Sequence, residues 1–335
     1  MKKVLSLLFH RATIIALAIL AQLVALALMV GRFSHYFPQF YAAFTLLSIV
    51  VVIFIATGNH KSAYKIAWII PIILFPIFGG LFYLMLGNPR TNKRMKRKMR
   101  QLKLHGDRSL ASSSPLLAEL AKTDQHAANQ ARYIQNYASF PVYPHTYSHF
   151  FPLGELAFKS MLEELTQAKH YIFLEYFIIE EGIMWNRILD ILVAKVQEGV
   201  DVRLIYDDVG CLFKLPYRYD QKLESMGIKT ERFHPLTAKL TATLNYRDHR
   251  KLMIIDGHTG FTGGINLADE YINAYEKYGH WKDSAFLIKG EPVWSLTVMF
   301  LTMWEYLRGE TDVLGDFKPK TLPQAPLEQG YIQPF

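Results

Sequence analysis

The sequence predicts an α/β protein, with N-terminal transmembrane helices followed by one α/β/α half-domain on a mixed sheet. Three observations carry this fold class. Three apolar runs precede residue 90. Short β-rich apolar segments alternate with stretches of helical spacing between residues 155 and 307. Charge is also split along the chain. Residues 1–106 hold fourteen Lys and Arg and no Asp or Glu, which leaves 23 basic and 29 acidic residues in 107–335. The basic character thus belongs to the N-terminal third, as suits a protein held against an anionic membrane surface. A nucleic-acid-binding domain would carry basic residues on its own face, so no nucleic-acid partner is expected.

The apolar runs cover residues 12–30, 40–57 and 66–86. Each is about the length that crosses a roughly 30 Å hydrocarbon core. The third contains Pro71, Pro76, Gly79 and Gly80, which membrane helices tolerate better than soluble ones. The first is too long for the apolar part of a cleaved signal peptide, and two more runs follow it. Residues 1–88 are therefore expected to be an anchor of two to three membrane segments. The dense basic run 89–100 should stay cytoplasmic. The expected localisation is the cell membrane, multi-pass, with the rest of the chain in the cytoplasm. Three spans would put Lys2, Lys3 and Arg11 outside; two spans, or a re-entrant third segment, resolve this, and the choice stays open. Residues 89–150 read as a basic juxtamembrane segment and connector.

From residue 151 to 315 the pattern is that of a domain. Helical spacing over 155–169 precedes the apolar strand 170–179. A helix over 185–198 ends at Gly199, a suitable C-terminal cap. A strand follows over 202–206, a helix over 217–226, and strands over 228–233 and 252–255. A helix is expected over 267–277, a strand over 285–288, and a long helix over 293–307. Continuous apolarity in the strands predicts a sheet covered on both faces. The single cysteine, Cys211, excludes an intrachain disulfide and reads as a small buried hydrophobe.

The chemistry lies in Asn245-Tyr246-Arg247-Asp248-His249-Arg250-Lys251-Leu252-Met253-Ile254-Ile255-Asp256. In extended chain His249 and Lys251 share a face, because side chains alternate with period two. Gly263, Gly264 and Asn266 follow, and Asn266 with Asp269 has capping-box character. An amide, glycine backbone and free helical N–H groups together would make a phosphate cradle. An imidazole can attack a phosphodiester and form a covalent intermediate, with Lys251 and Asn266 stabilising the developing negative charge. No cluster of His, Cys or carboxylates shows metal-ligand spacing, so a metal-free and cofactor-free mechanism is preferred. Glu175, alone in an apolar strand, needs a partner or a site. Arg247 and Arg250 either contact lipid phosphate or form ion pairs. His234, His258 and His280 fit no motif position.

His249-x-Lys251-x4-Asp256-x6-Gly263-Gly264-x-Asn266 resembles the HKD motif of the phospholipase D superfamily at every position. Lys65-Ile66-Ala67-Trp68, Pro76-Ile77-Phe78-Gly79-Gly80, Leu174-Glu175-Tyr176-Phe177 and His280-Trp281-Lys282-Asp283 are similar to bacterial cardiolipin synthases, especially the Gram-positive type. The resemblance implies a phosphatidyltransferase that makes cardiolipin from two phosphatidylglycerols through a phosphohistidine. His249 would be nucleophile or general acid, Lys251 a phosphate ligand, and Asp256 structural or supportive. Asp283 would orient His249, and Glu175 would either line the pocket or form a buried pair. Family members use two such motifs, whereas this sequence holds one, and residues 316–335 read as a linker toward a second half. A fragment, a chain completed by a copy of itself or by a separate second half, and an inactive membrane protein all remain open. A hydrolase or head-group exchanger is the alternative chemistry.

Overall fold

The computed structural model describes residues 36–84, 93–110, 114–144, 146–235, 247–309, 311–322 and 330–335, with isolated positions between 20 and 31. The first apolar run and the residues just upstream of the motif, Asn245 and Tyr246, lie largely or wholly outside them. The chain divides into two units, residues 1–92 with 236–246, and residues 93–235 with 247–335.

In the first unit, α1 (Phe37–Thr57), α2 (Ser62–Leu74) and α3 (Pro76–Phe82) pack around Val51, Ile55, Ile72 and Tyr83. The third apolar run is not one helix. Phe75 leaves helical geometry (φ −131°, ψ 72°) between α2 and α3, as a following proline favours. A Cβ on Gly79 would sit 2.5 Å from the Ile72 Cα, so only glycine lets α3 fold back this closely. Large apolar side chains cover the outside of this unit, among them Leu46, Ile53, Phe54, Ile73 and Leu74. Among the described residues no helix is long and apolar enough to cross a membrane.

The second unit starts with helices where a connector was expected. These are α4 (Lys93–Ser109), α5 (Ser114–Thr123) and α6 (Gln125–Ala138). α4 reads as basic, yet Trp294 Nε1 donates to the Ser109 carbonyl and His105 Nδ1 lies 3.3 Å from the buried Glu305. Asp124 caps α6 by accepting from the His126 and Ala127 N–H groups.

The domain proper runs β1 (Tyr143–Pro144), β2 (Tyr147–Phe151), α7 (Gly154–Thr166), β3 (Tyr171–Tyr176), α8 (Ile183–Gln197), β4 (Asp201–Asp207), α9 (Tyr219–Ser225), β5 (Lys229–Phe233), β6 (Lys251–Ile255), β7 (Thr259–Gly263), β8 (Ala285–Lys289), α10 (Val293–Arg308) and β9 (Tyr331–Ile332). The seven-stranded sheet has the order β2-β8-β7-β6-β3-β4-β5. β3, β4 and β5 are parallel, and the other neighbours are antiparallel, so the sheet is mixed. Ile172, Leu174, Val202, Leu204, Met253 and Ile255 face the core shared with α7 and α8. Phe173, Ile205, Leu252 and Ile254 face α10. Burial on both faces explains why the strands read as unbroken apolar runs.

One expectation needs correction. The helix expected over 267–277 is a single 3-10 turn, Asp269–Ile272. The described residues around the stretch read as a linker pack on the domain. Leu314–Phe317 forms a 3-10 turn with Leu314 buried, and β9 pairs with β1.

Candidate active site

β6 places the motif at one end of the sheet, with Lys251 opposite Tyr176 in the antiparallel register with β3. The Phe177 ring, just past β3, lies 4.7 Å from the His249 ring and 5.4 Å from Lys251 Nζ. His249 and Lys251 therefore share one face, as period-two alternation requires. His249 is exposed, while Lys251 is 5% exposed and donates from Nζ to the His249 carbonyl at 2.6 Å. Burial lowers the Lys251 pKa to about 8, with Asp248 and Asp283 pulling it back upward.

The remainder of the motif is fastened down. The Asp248 N–H donates to Asp207 Oδ2 at 3.0 Å, and Arg247 Nη1 lies 3.3 Å from Asp207 Oδ1. Arg250 reaches the opposite face of the sheet, 2.7 Å from Glu175 Oε1 and 3.2 Å from Asp248 Oδ1. Arg250 is thus the ion-pair partner of the buried Glu175 carboxylate. Glu175 is fully buried, and burial drives its pKa well up against the pull of Arg250; Asp248 adds to the rise. Both arginines are thus ion-paired into the frame, and Glu175 holds the motif from behind.

Asp256 does not reach the cleft. With φ +51° it turns the chain after β6. Its oxygens accept the N–H groups of Lys169, His170 and Tyr171, each at 2.8 Å. Among the described residues, those expected to form a phosphate cradle are held by contacts within the domain. Asn266, 2% exposed, accepts from the Ile178 N–H at 2.9 Å and donates to the Tyr271 hydroxyl at 2.8 Å. No free helix N-terminus follows it. The two glycines serve close packing. At Gly263 (φ +154°) a Cβ would lie 2.7 Å from the Ala285 Cα, and at Gly264 it would collide with the Asp283 carboxylate. Asp283 accepts from the Ser284 N–H at 2.8 Å. Among the described residues no carboxylate bonds the His249 ring, and Asp283 reaches Lys251 through its charge.

A cleft of about 460 Å³ is lined by His249, Arg250 and Lys251, by Leu252, Ile288 and Leu296 from the α10 side of the sheet, and by Ser148, Gly263 and residues 331–335. Those last residues carried no chemical signal in the sequence, and pairing with β1 brings them here. Sequence reasoning also missed Glu270. Its carboxylate accepts from the Tyr275 hydroxyl at 2.7 Å and from Lys277 at 2.8 Å, with Lys214 3.7 Å away. It ties together two loops at the same end of the sheet as His249.

The comparisons agree with this frame. A family model described as cardiolipin synthase, PLD-like domain, matches residues 161–293. One described as phospholipase D-nuclease N-terminal matches residues 43–88. The chain belongs to the phospholipase D superfamily. Within it the chain is cardiolipin synthase-like, with one such domain matched. An uncharacterized protein from Streptococcus mutans is 40% identical over 253 residues, covering 76% of this chain and 55% of that protein. A cardiolipin synthase from Alkalihalophilus pseudofirmus is 34% identical over 290 residues, covering 84% and 55%. The chain spans about half the length of the curated relatives it matches. Among solved structures, Nuc from Salmonella typhimurium, a phospholipase D family member, is 20% identical. The match covers 51% of this chain and 97% of that one, at a TM-score of 0.35.

Proposed function

We propose that this chain carries the first half of a phosphatidyltransferase active site, and that the completed enzyme joins two phosphatidylglycerols into cardiolipin and releases glycerol. The observation that carries this reading is the exposed His249 ring and the buried Lys251 ammonium on one side of the Phe177 ring, with both residues lining one cleft. In the reaction an imidazole nitrogen attacks phosphorus and the bond to the glycerol oxygen breaks. The departing alkoxide takes a proton from a second acidic group, the part a partner histidine would supply. The terminal hydroxyl of the second phosphatidylglycerol then attacks the phosphohistidine and frees His249. Lys251 balances charge on the non-bridging oxygens throughout. That second group comes from outside these residues: from the rest of a longer chain, from another copy of the chain or from a separate second half.

A membrane location supports a lipid substrate. The N-terminal unit exposes apolar side chains that lipid would cover, and Lys93 to Arg100 supply basic residues beside it. Phe213 and Tyr278, 77% and 80% exposed, stand on loops at the His249 end of the sheet. A catalytically silent membrane scaffold is the second reading, favoured by a His249 ring that no carboxylate among the described residues holds.

The test is conversion of labelled phosphatidylglycerol in membranes that contain this chain, with His249→Ala beside it. Labelled cardiolipin and glycerol from the native chain, lost in the variant, are expected. Equal cardiolipin from both would remove His249 from the chemistry, and phosphatidic acid as the main product would replace the transferase with a hydrolase. No product, even with a second half co-expressed, would leave the scaffold.

A further inference from the structure

The end of the sheet away from His249 carries a cavity that the proposed reaction does not use. β3 begins there at Tyr171, β6 ends there at Ile255, and β7 begins there at Thr259. The five residues of β6 separate it from the His249 cleft by on the order of 15 Å. The cavity holds about 480 Å³ between Lys169 and His170, the turn Asp256 to His258, and the segment 316–322. That volume is typical of a small-molecule site.

Its walls are anchored to the core. The Tyr171 hydroxyl donates to the Phe317 carbonyl at 2.6 Å, and the Phe317 ring lies 5.4 Å from the Tyr171 ring and 5.0 Å from the Arg203 guanidinium. At Gly257 (φ +69°) a Cβ would sit 3.0 Å from the Phe317 carbonyl and 3.1 Å from Pro319 Cδ, so only glycine lets the turn close on this segment.

Charge in the cavity is unbalanced. Lys169, Lys318 and Lys320 bring three ammonium groups, and His170 and His258 bring two imidazoles. Among the described residues, none of Lys169, His170, Lys318 and Lys320 forms an ion pair. Two carboxylates stand against them, Asp316 and Asp256, whose oxygens also accept from three backbone N–H groups, so the three lysines still outnumber the acids. A concave wall rich in unpaired cationic donors suits an anion with several acceptor oxygens. A volume of about 480 Å³ also leaves room for a short alcohol attached to it. We propose that this cavity binds a phosphate ester of a small polyol, as a second anion site separate from His249. The ester has two sources, a free polyol phosphate or the headgroup of an anionic phospholipid.

The experiment uses the full chain carrying His249→Ala, so that nothing turns over, in nanodiscs of neutral phosphatidylcholine. Glycerol phosphate is titrated calorimetrically, with and without the added pair Lys318→Gln and Lys320→Gln. Both lysines are exposed, so the melting temperature should not move. Saturable binding that weakens about tenfold or more in the lysine variant is expected. A repeat in phosphatidylglycerol nanodiscs separates the sources. A lower apparent affinity there, abolished in the lysine variant, assigns the cavity to the lipid headgroup; an unchanged affinity assigns it to the free ester. Absence of binding in the neutral discs, binding that the lysine variant retains in full, or binding lost on Lys251→Gln instead would overturn the site.

Discussion

Lys251 stands 5% exposed beside an exposed His249, and burial takes its pKa from 10.5 to about 8. As a phosphate ligand it has to be an ammonium, so activity should be full below that value and decline as pH rises through about 8. Asp283 and Asp248 both favour the charged form. Asp283→Asn should therefore move the descending limb to lower pH, and Lys251→Arg, whose guanidinium stays charged, should remove it. Initial rates between pH 6 and 9.5 decide this, and a limb that ignores both variants would assign the titration elsewhere. The stability sign is opposite. Because the folded value lies below the unfolded one, Lys251 opposes folding where both states are protonated, and this penalty is relieved between about 8 and 10.5. At this scale the sequence conveyed which side chains share a face better than which partners they take. That His249 and Lys251 lie on one side follows from strand parity alone. Asn266, Asp256 and Asp283 are polar residues in a motif, and their hydrogen bonds go to Ile178, Lys169 and Ser284, contacts made by folding and not by spacing.

Among the elements, buried strands and long helices were legible because apolar runs and 3.6-residue spacing follow directly from being covered on one or both faces. β7, Thr-Gly-Phe-Thr-Gly, lacks such a run, since two of its five residues are glycine and its pairing with β6 and β8 supplies the order. The stretch 267–277 has helical spacing but becomes one 3-10 turn, because tertiary contacts take its polar groups first. Asp269, expected to serve its own helix, accepts the Ile183 and Met184 N–H groups at 2.9 and 2.8 Å and so caps α8 from another part of the chain. Gly182 permits this, because a Cβ there would lie 2.5 Å from the Asp269 carboxylate. Asp269→Ala should then destabilise the domain by about 1–2 kcal/mol, the usual worth of an N-cap. Chemical denaturation would show it as a lower midpoint at unchanged slope. An effect below a few tenths would mean that water replaces the carboxylate. Asp269→Asn should recover about half, since one amide oxygen replaces two acceptors.

At the scale of the whole molecule, one motif on a half-length match makes the number of participating chains the decisive quantity. The proposed reaction needs two acidic or nucleophilic imidazoles at one phosphorus, and each chain offers one His249 in an open cleft. If two copies complete each other, both histidines of a pair are needed, one as nucleophile and one as acid. Native and His249→Ala chains mixed in equal amounts would pair at random, and only the native–native pairs, about one quarter of the total, would turn over. Completion by a separately encoded half predicts a different dependence, because each native chain would work independently and activity would track its share, about one half in the same mixture. The measurement is the rate of cardiolipin formation across mixing ratios at constant total protein, in detergent micelles where chains exchange before reconstitution. A squared dependence on the native fraction requires self-pairing and gives the open His249 cleft its missing partner. Once exchange is verified, a linear dependence excludes self-pairing, and the acid must then come from within each chain or from a different polypeptide. Exchange has to be verified independently, for instance by energy transfer between labelled chains, because pairs that never exchange would also give a straight line.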